Sequence, residues 1–430
     1  MASKTISDTV HGSIKVEGAV LDLLETLEVQ RLNAIRQLGL TYLVFPGANH
    51  TRLEHVLGTY HVAKEIALSL SLPEDELHLV SAAALLHDIG HGPLSHTLER
   101  VIADRTGMDH MEVTKRIILG QEDSVPSLER DFFEGHPRVP DVLERWGLDP
   151  QDVANLIKGC QSINVLPGFA STTPPKGHAY LGQIVHSALD ADQIDFLLRD
   201  SLYTGVAHGI IDLPRLLGTF RLAKGNLVVD RKGLSAVEGT LVARGLMYTS
   251  VYFHRTVRIA ETMLSRTVER VPDSLEELRF MNDSEMMSWL LDKGGVQRET
   301  AMRLKYRRLY KKVLTRERRE LSRGEMDRLI ELADPDKRLR MENAVCKRAG
   351  IPNGKVIIDI PAPELLLTEP RISKVDLGVL EEGKVLPFGK VSPLARAVQI
   401  RETIDWVLMV ACDPDYSSDV SRAANRVIFR

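Results

Sequence analysis

At 430 residues, with a formal net charge of −4 and only 5% aromatic residues, the chain is long enough for two or three domains around a large main core. That charge excludes a protein built throughout to coat nucleic acid, and no apolar stretch reaches the length of a membrane span. The opening MASKTISDTV has no basic start before an apolar run, and Cys160, Cys346 and Cys412 are odd in number and widely spaced, so a cytoplasmic protein with free thiols is expected.

Residues 20–39 (VLDLLETLEVQRLNAIRQLG) repeat apolar side chains at helical spacing and stop at Gly39. Two more helices are expected over 53–72 and 74–89, split by Pro73. The second is apolar on nearly every face until His87, which predicts deep burial. Gly90, Gly92 and Pro93 end it. Residues 121–178 are rich in Pro, Gly and charge, with a helical piece near 150–160, and read as an insertion or flap. Helices resume at 180–200 and 235–268. Residues 298–348 then mix dense Arg and Lys with Glu and Asp at helical periodicity. The C-terminal part alternates in KVIIDI and WVLMVACDP between Pro-rich turns, as a small α+β unit would. The expected fold is mainly α in three parts: a chemistry-bearing bundle over 1–268, a basic helical region over 269–352, and an α+β region over 353–430.

The chemistry starts at LLHDIGHGPLSH, residues 85–96. A His beside an Asp at the end of a buried helix is costly unless something compensates both groups. Neighbouring helical side chains diverge by about 100°, so they can flank one external point without stacking on each other. A divalent cation at that point would compensate both. An Asp capping the turn and a His bonded to backbone accounts equally well for the pair alone. His55, in TRLEHVLGTYHVA, and Asp192, in ALDADQIDFLLRD, add a second imidazole and a second carboxylate, each within an apolar helical pattern. Such a set suits Mn, Fe, Zn, Mg or Ni, with positions left for water and substrate.

H…HD…D in this order, with FPGANHTRLEHVLG around the first His and DADQIDFLLRDS around the last Asp, resembles the HD-domain phosphohydrolases, and among them the deoxynucleoside triphosphate triphosphohydrolases. The likeness runs from about Asp8 to Arg255. It implies an all-α HD bundle in which His55, His87, Asp88 and Asp192 hold the metal. It makes His91 and His96 phosphate contacts, with His96 a candidate acid or base, and matches His110 to another active-site histidine. Glu99, three residues past His96, is placed to orient that imidazole. By the same likeness Arg52 and Arg244 meet phosphate, Tyr252 the sugar, and Asp200 and Gln37 the 3′-hydroxyl. Arg244, Tyr248, Tyr252 and Arg255 fall at i, i+4, i+8 and i+11, a stripe that a solvated amphipathic face would also produce. The implied activity is attack at the α-phosphate of a deoxynucleoside triphosphate, in a homodimer or tetramer.

The pattern departs in places. Gln193 stands where Lys or Arg is common, Phe196 replaces a common Tyr, and Tyr248 stands where vertebrate relatives have His. Met111 intervenes between His110 and Glu112. Glu25, Gln30 and Asn33 depart from the Asp, Gln and Arg of members activated by guanine nucleotides. Residues 305–319 (KYRRLYKKVLTRERR) allow three readings: a solvated helix laced with ion pairs, a nucleic-acid contact, or a basic site between subunits. Alternative functions are an HD-type nucleotidase, phosphodiesterase or nuclease, and a nucleotide sensor or nucleic-acid binder with weak catalysis.

Overall fold

A computed structural model describes residues 2–94, 96–158, 179–361, 377–394 and 406–429. Cys160 and the last part of the expected insertion, residues 159–178, lie outside them. The fold is mainly helical, with small sheets that include the C-terminal strands. Among the described residues no helix is long and apolar enough to cross a membrane.

The chain opens with an antiparallel hairpin, β1 (Ser3–Asp8) and β2 (Gly12–Glu17), in which Asp8 pairs with Gly12. Gly12, at φ +76°, supplies the left-handed residue that such a short connection requires. The 20–39 stretch does not run as one helix. It breaks into α1 (Gly18–Leu24), a single turn at Leu27–Gln30 and a 3₁₀ turn at Arg31–Ala34. The buried Thr26 hydroxyl donates to the Leu23 carbonyl at 2.7 Å, offering the backbone a local alternative to the next helical turn.

Two long helices follow, α2 (Arg52–Ser69) and α3 (Glu74–Leu86), with Pro73 at the N-cap of α3. A reciprocal capping box between Thr51 and Glu54 starts α2, and Glu74, Asp75 and Glu76 place negative charge at the positive end of α3. Further on, α4 (His96–Thr106), α5 (His110–Ile118) and α6 (Ala191–Thr204) complete the frame around the site, with α6 packed across α2. The first core joins Ile14, Leu23, Val56, Ile66, Val80 and Leu85.

Two expectations are corrected here. Residues 121–158 are not a flap, because their helices at Val139–Arg145 and Pro150–Lys158 bury Val142, Leu143, Val153 and Ile157 in the first core. The apolar residues recur at helical spacing between the Pro and Gly punctuation, and that periodicity outweighs the composition. The basic stretch is not one helix either. A helix ends at Lys305, Arg307 takes φ +53°, and β5 (Lys311–Arg316) is an edge strand. Its half-buried Val313 and Leu314 pack on a core, while its charged residues guard the open edge.

That core belongs to a three-stranded sheet of β5, β6 (Val356–Asp359) and the central β9 (Leu408–Cys412), covered by helices Pro335–Ala349 and Ser417–Ile428. The α+β unit therefore draws on residues well before 353. Conversely, β7 (Gly378–Glu381) and β8 (Lys384–Pro387) return to the first core. There β7 runs parallel to β4 (Asn226–Asp230), which pairs with β3 (Phe220–Ala223).

Candidate metal centre

Three helices converge on one point. His55 stands in the first turns of α2, His87 and Asp88 at the C-terminal end of α3, and Asp192 in the first turn of α6. His55 Nε2 lies 3.1 Å from Asp192 Oδ1 and 3.8 Å from Asp88 Oδ2. His87 Nε2 lies 3.4 Å from Asp88 Oδ1 and 3.8 Å from Asp192 Oδ1. Of the four side chains, Asp192 is the most exposed, at 18%.

The outer nitrogens are tied down. His87 Nδ1 bonds the Ala84 carbonyl at 2.9 Å and His55 Nδ1 bonds Asp195 Oδ2 at 2.8 Å. Each of these outer nitrogens therefore carries a proton, which turns both Nε2 atoms toward the carboxylates. Among the described residues, the buried His87 Nε2 has no hydrogen-bond partner. A buried, unbonded imidazole nitrogen beside two carboxylates is what a divalent cation would satisfy, and His55, His87 and Asp192 offer ligand atoms within 4.8 Å of one another. The residues fit the ion.

The electrostatics agree. Burial alone would drive the His55 proton off, yet the Asp192 and Asp195 carboxylates hold its pKa up at about 10. Burial would likewise raise Asp88, but His87, Arg52 and His91 keep it well below the usual carboxylate range. Asp192 is lowered against its own burial by His55 and His87. A field that keeps both carboxylates ionised and a proton on His55 is one that favours positive charge at this point.

Beside the centre lies a second cluster. His91 is buried, its pKa driven well down by burial and by the positive charge of Arg52 and His110. It stacks on His110 with ring centroids 4.0 Å apart and meets His96 edge-on at 5.2 Å. Glu99 accepts from His96 Nδ1 at 3.0 Å and also bonds His110 Nδ1. Burial opposes both charges in the latter pair, and the pair overrides it: His110 is raised and Glu99 is held well below its ordinary range. Glu112 is not part of this cluster and pairs with Arg116 at 3.5 Å.

A third group gathers around Asp200, two turns along α6 from Asp192. Asp200 accepts from Tyr252 Oη at 2.6 Å and bonds His50 Nε2 at 2.8 Å. Burial and the Asp200 carboxylate push the Tyr252 phenol well above its normal pKa. Gln37 is buried, its backbone N–H on the His50 carbonyl and its side-chain oxygen unbonded among the described residues. Arg52 pairs with Asp88, and Arg244 donates Nη1 to Gln193 Oε1 at 2.8 Å. Helix Leu234–Met247, which bears Arg244, passes into a π-turn over Tyr248–Tyr252 that brings the two tyrosine rings edge-on at 5.1 Å.

The structure does not bring Arg255 to this group. The helix breaks at Phe253, His254 caps a new one, and Arg255 begins it. Arg255 instead lines a separate cavity of about 640 Å³ with His254, Arg307, Lys311, Lys312 and Trp406, so part of the basic 305–319 segment faces that cavity. Glu25 pairs with Lys4 at the surface, away from the centre.

Several polar residues around the centre escape the sequence reading. Asp195 and Arg199 form an i, i+4 ion pair at 2.9 Å on α6, which the spacing alone could have signalled. His11 and His50 sit in loops with no local pattern to mark them. Arg31, also unread, donates Nη2 to the His91 carbonyl at 2.7 Å and so holds the turn after Asp88.

Comparison with known proteins adds the following. A family model for the HD domain matches residues 52–162, and one described as the HD associated region matches residues 211–429. An uncharacterised protein of Methanocaldococcus jannaschii is 32% identical over 416 residues, covering 95% of this chain and 78% of that protein. The deoxynucleoside triphosphate triphosphohydrolase SAMHD1 homologue of Dictyostelium discoideum is 28% identical over 303 residues. That match covers 66% of this chain and only 54% of the relative's length. The crystal structure of a hypothetical protein from Aquifex aeolicus is similar at a TM-score of 0.73 and 27% identity, covering 98% of this chain and all of that one.

Proposed function

Because this chain belongs to the HD-domain phosphohydrolases that carry an HD-associated region, we propose that it hydrolyses deoxynucleoside triphosphates, releasing deoxynucleoside and tripolyphosphate. The observation that carries the finer reading is the juxtaposition of two sites. Asp200, Tyr252 and His50 form a hydrogen-bonded group eight residues along the same helix from Asp192, one suited to a sugar hydroxyl. The likeness to relatives named as deoxynucleoside triphosphate triphosphohydrolases supports the same substrate class.

In this scheme His55, His87, Asp88 and Asp192 hold a divalent cation, which when bound polarises a phosphoryl oxygen and lowers the pKa of water. Arg52 and Arg244 contact phosphate oxygens with planar, permanently charged donors. His96, oriented by Glu99 and exposed to solvent, donates a proton to the departing oxygen. His91 and His110 line the phosphate path, and Gln37 joins Asp200 at the sugar. Tyr248 and Tyr252 close over the nucleoside. Catalysis then rests mostly on positioning and charge. Assembly into a homodimer or tetramer is part of the proposal, and sedimentation velocity checks it.

A second reading has one observation in its favour. The residue next to Asp192 is the neutral Gln193, which orients Arg244 but adds no cation of its own for a long phosphate chain. That favours an HD-type nucleotidase or phosphodiesterase acting on shorter phosphates. Incubating Mn(II)-loaded protein with dNTPs, NTPs, monophosphates and single-stranded DNA, followed by ion chromatography, separates the two. Tripolyphosphate supports the first; orthophosphate from monophosphates, with dNTPs untouched, refutes it.

A further inference from the structure

The N-terminal hairpin reaches the back of the metal centre, and we propose that Asp8 and His11 at its tip are positioning residues for His55, acting through Asp195. This rests on the assignment of His55 as a metal ligand.

The chain of contacts is continuous and buried. Asp195 is fully buried and spends both oxygens: Oδ2 on His55 Nδ1 at 2.8 Å and Arg199 Nε at 2.9 Å, Oδ1 on His11 Nε2 at 2.7 Å and Arg199 Nη2 at 3.0 Å. Arg199 gives its remaining Nη1 to Asp8 Oδ2 at 2.8 Å. Asp8 is itself fixed by the turn it starts, since its Oδ1 accepts from the Val10 and His11 backbone N–H groups at 2.9 and 2.8 Å. The hairpin is anchored in turn by fully buried Ile14 and Val16 and by Tyr60 Oη on the Lys15 carbonyl at 3.0 Å. One turn along α2 from His55, Gly58 leaves room for this group, because a Cβ there would fall 1.8 Å from Asp195 Oδ1.

The physical consequence is specific. An imidazole on a helix is free to rotate about χ2 unless its outer nitrogen is held, and the holder here is a carboxylate with no solvent to rest against. A buried carboxylate stays put only while its acceptor positions are filled. Without His11, Asp195 Oδ1 keeps only Arg199, and without the Asp8 carboxylate Arg199 loses its second anchor. In either case Asp195 swings and the His55 lone pair leaves the centre, although neither Asp8 nor His11 touches a metal ligand.

The test is a Co(II) titration of full-length apoprotein, followed by visible absorption, with urea melts alongside. Wild type should bind one equivalent, and His55→Ala should bind none. His11→Phe and Asp8→Asn should bind roughly 10- to 100-fold more weakly, with a shifted ligand-field band, and His11→Gln, which keeps a donor, should recover much of the loss. Val345→Ala, in the separate core beneath the three-stranded sheet, should lower the melt midpoint and leave Co(II) affinity unchanged. Wild-type affinity and spectrum in His11→Phe would overturn the positioning role while leaving the metal centre intact. Wild type that binds no Co(II), or binds as well with His55→Ala, would overturn the metal assignment itself.

Discussion

Gln193 Oε1 accepts a hydrogen bond from Arg244 Nη1 at 2.8 Å, immediately beside Asp192. Gln193 is itself held through Nε2, on the Ser187 carbonyl at 2.5 Å and on Asp190 Oδ2 at 3.0 Å. A neutral side chain thus fixes the direction of a buried guanidinium without cancelling its charge. Arg244 is 2% exposed and stacks its guanidinium over the Tyr248 ring at 5.8 Å.

Gln193→Glu keeps the size, gives Arg244 a carboxylate partner and takes the Nε2 donor away from the Ser187 carbonyl and Asp190. Arg244 is then neutralised in place, and its attraction for phosphate falls by about 1.5–3 kcal/mol. KM for nucleotide should rise about 10- to 100-fold with kcat changed much less. Steady-state kinetics on Mn(II)-loaded protein decides this, and an unchanged KM would remove Arg244 from the substrate.

Tyr252→Phe removes the donor to Asp200 and leaves the ring. About 1 kcal/mol of sugar-side preorganisation goes with it, a several-fold loss in kcat/KM for deoxynucleotides. Mn(II) affinity by calorimetry should not move, because the Tyr252 hydroxyl is bonded to Asp200, which is not one of the four candidate ligands. A parallel fall in metal affinity would show that the nucleoside and metal sites are not separable.

Gly58→Ala drives a methyl into the Asp195–Arg199 pair, at 1.8 Å from one partner and 2.4 Å from the other. Both partners are pinned by further bonds, so the clash cannot relax cheaply. A loss of at least about 2 kcal/mol is expected in urea unfolding. Wild-type stability would mean that the pair shifts freely.

The hairpin carries its own acid dependence. Lys15 and Lys64 hold Glu17 at a pKa of about 2, below its ordinary 4.5. A carboxyl lowered on folding contributes stability that is present above its unfolded pKa and lost as pH falls through the folded one. Glu17→Gln should therefore flatten the decline in melting temperature between about pH 4.5 and 2 while changing little under more acidic conditions. Melting curves across that range check it, and identical acid limbs would show the Lys64 contact at 3.0 Å to be inert.

The sequence makes the candidate ligands legible because each sits where apolar periodicity meets an isolated His or Asp: His55 after a capping box, His87 and Asp88 at the end of an apolar helix. Asp192 opens α6 in the same way. Asp195 and Arg199 were readable in principle as an i, i+4 pair on that helix. His11 and His50 were not, because a loop residue acquires meaning only from what lies across space. The break at Thr26 was hidden for a similar reason, since its hydroxyl bond to Leu23 is a local choice that apolar spacing does not record. In the 305–319 segment, Lys and Arg at high density suggest helix. There a positive φ at Arg307 and the pairing of β5 with β9 override that propensity. The return of β7 and β8 to the first core depends on pairing with β4, nearly 150 residues earlier in the chain, which no local pattern announces.

The most direct measurement is anomalous diffraction from crystals of the full chain soaked in Mn(II), with Asp192→Ala crystals as control. The account predicts one strong peak within bonding reach of His55 Nε2, His87 Nε2, Asp88 and Asp192, and its loss in the variant. A peak that persists in Asp192→Ala, or one that lies away from these four side chains, would contradict it.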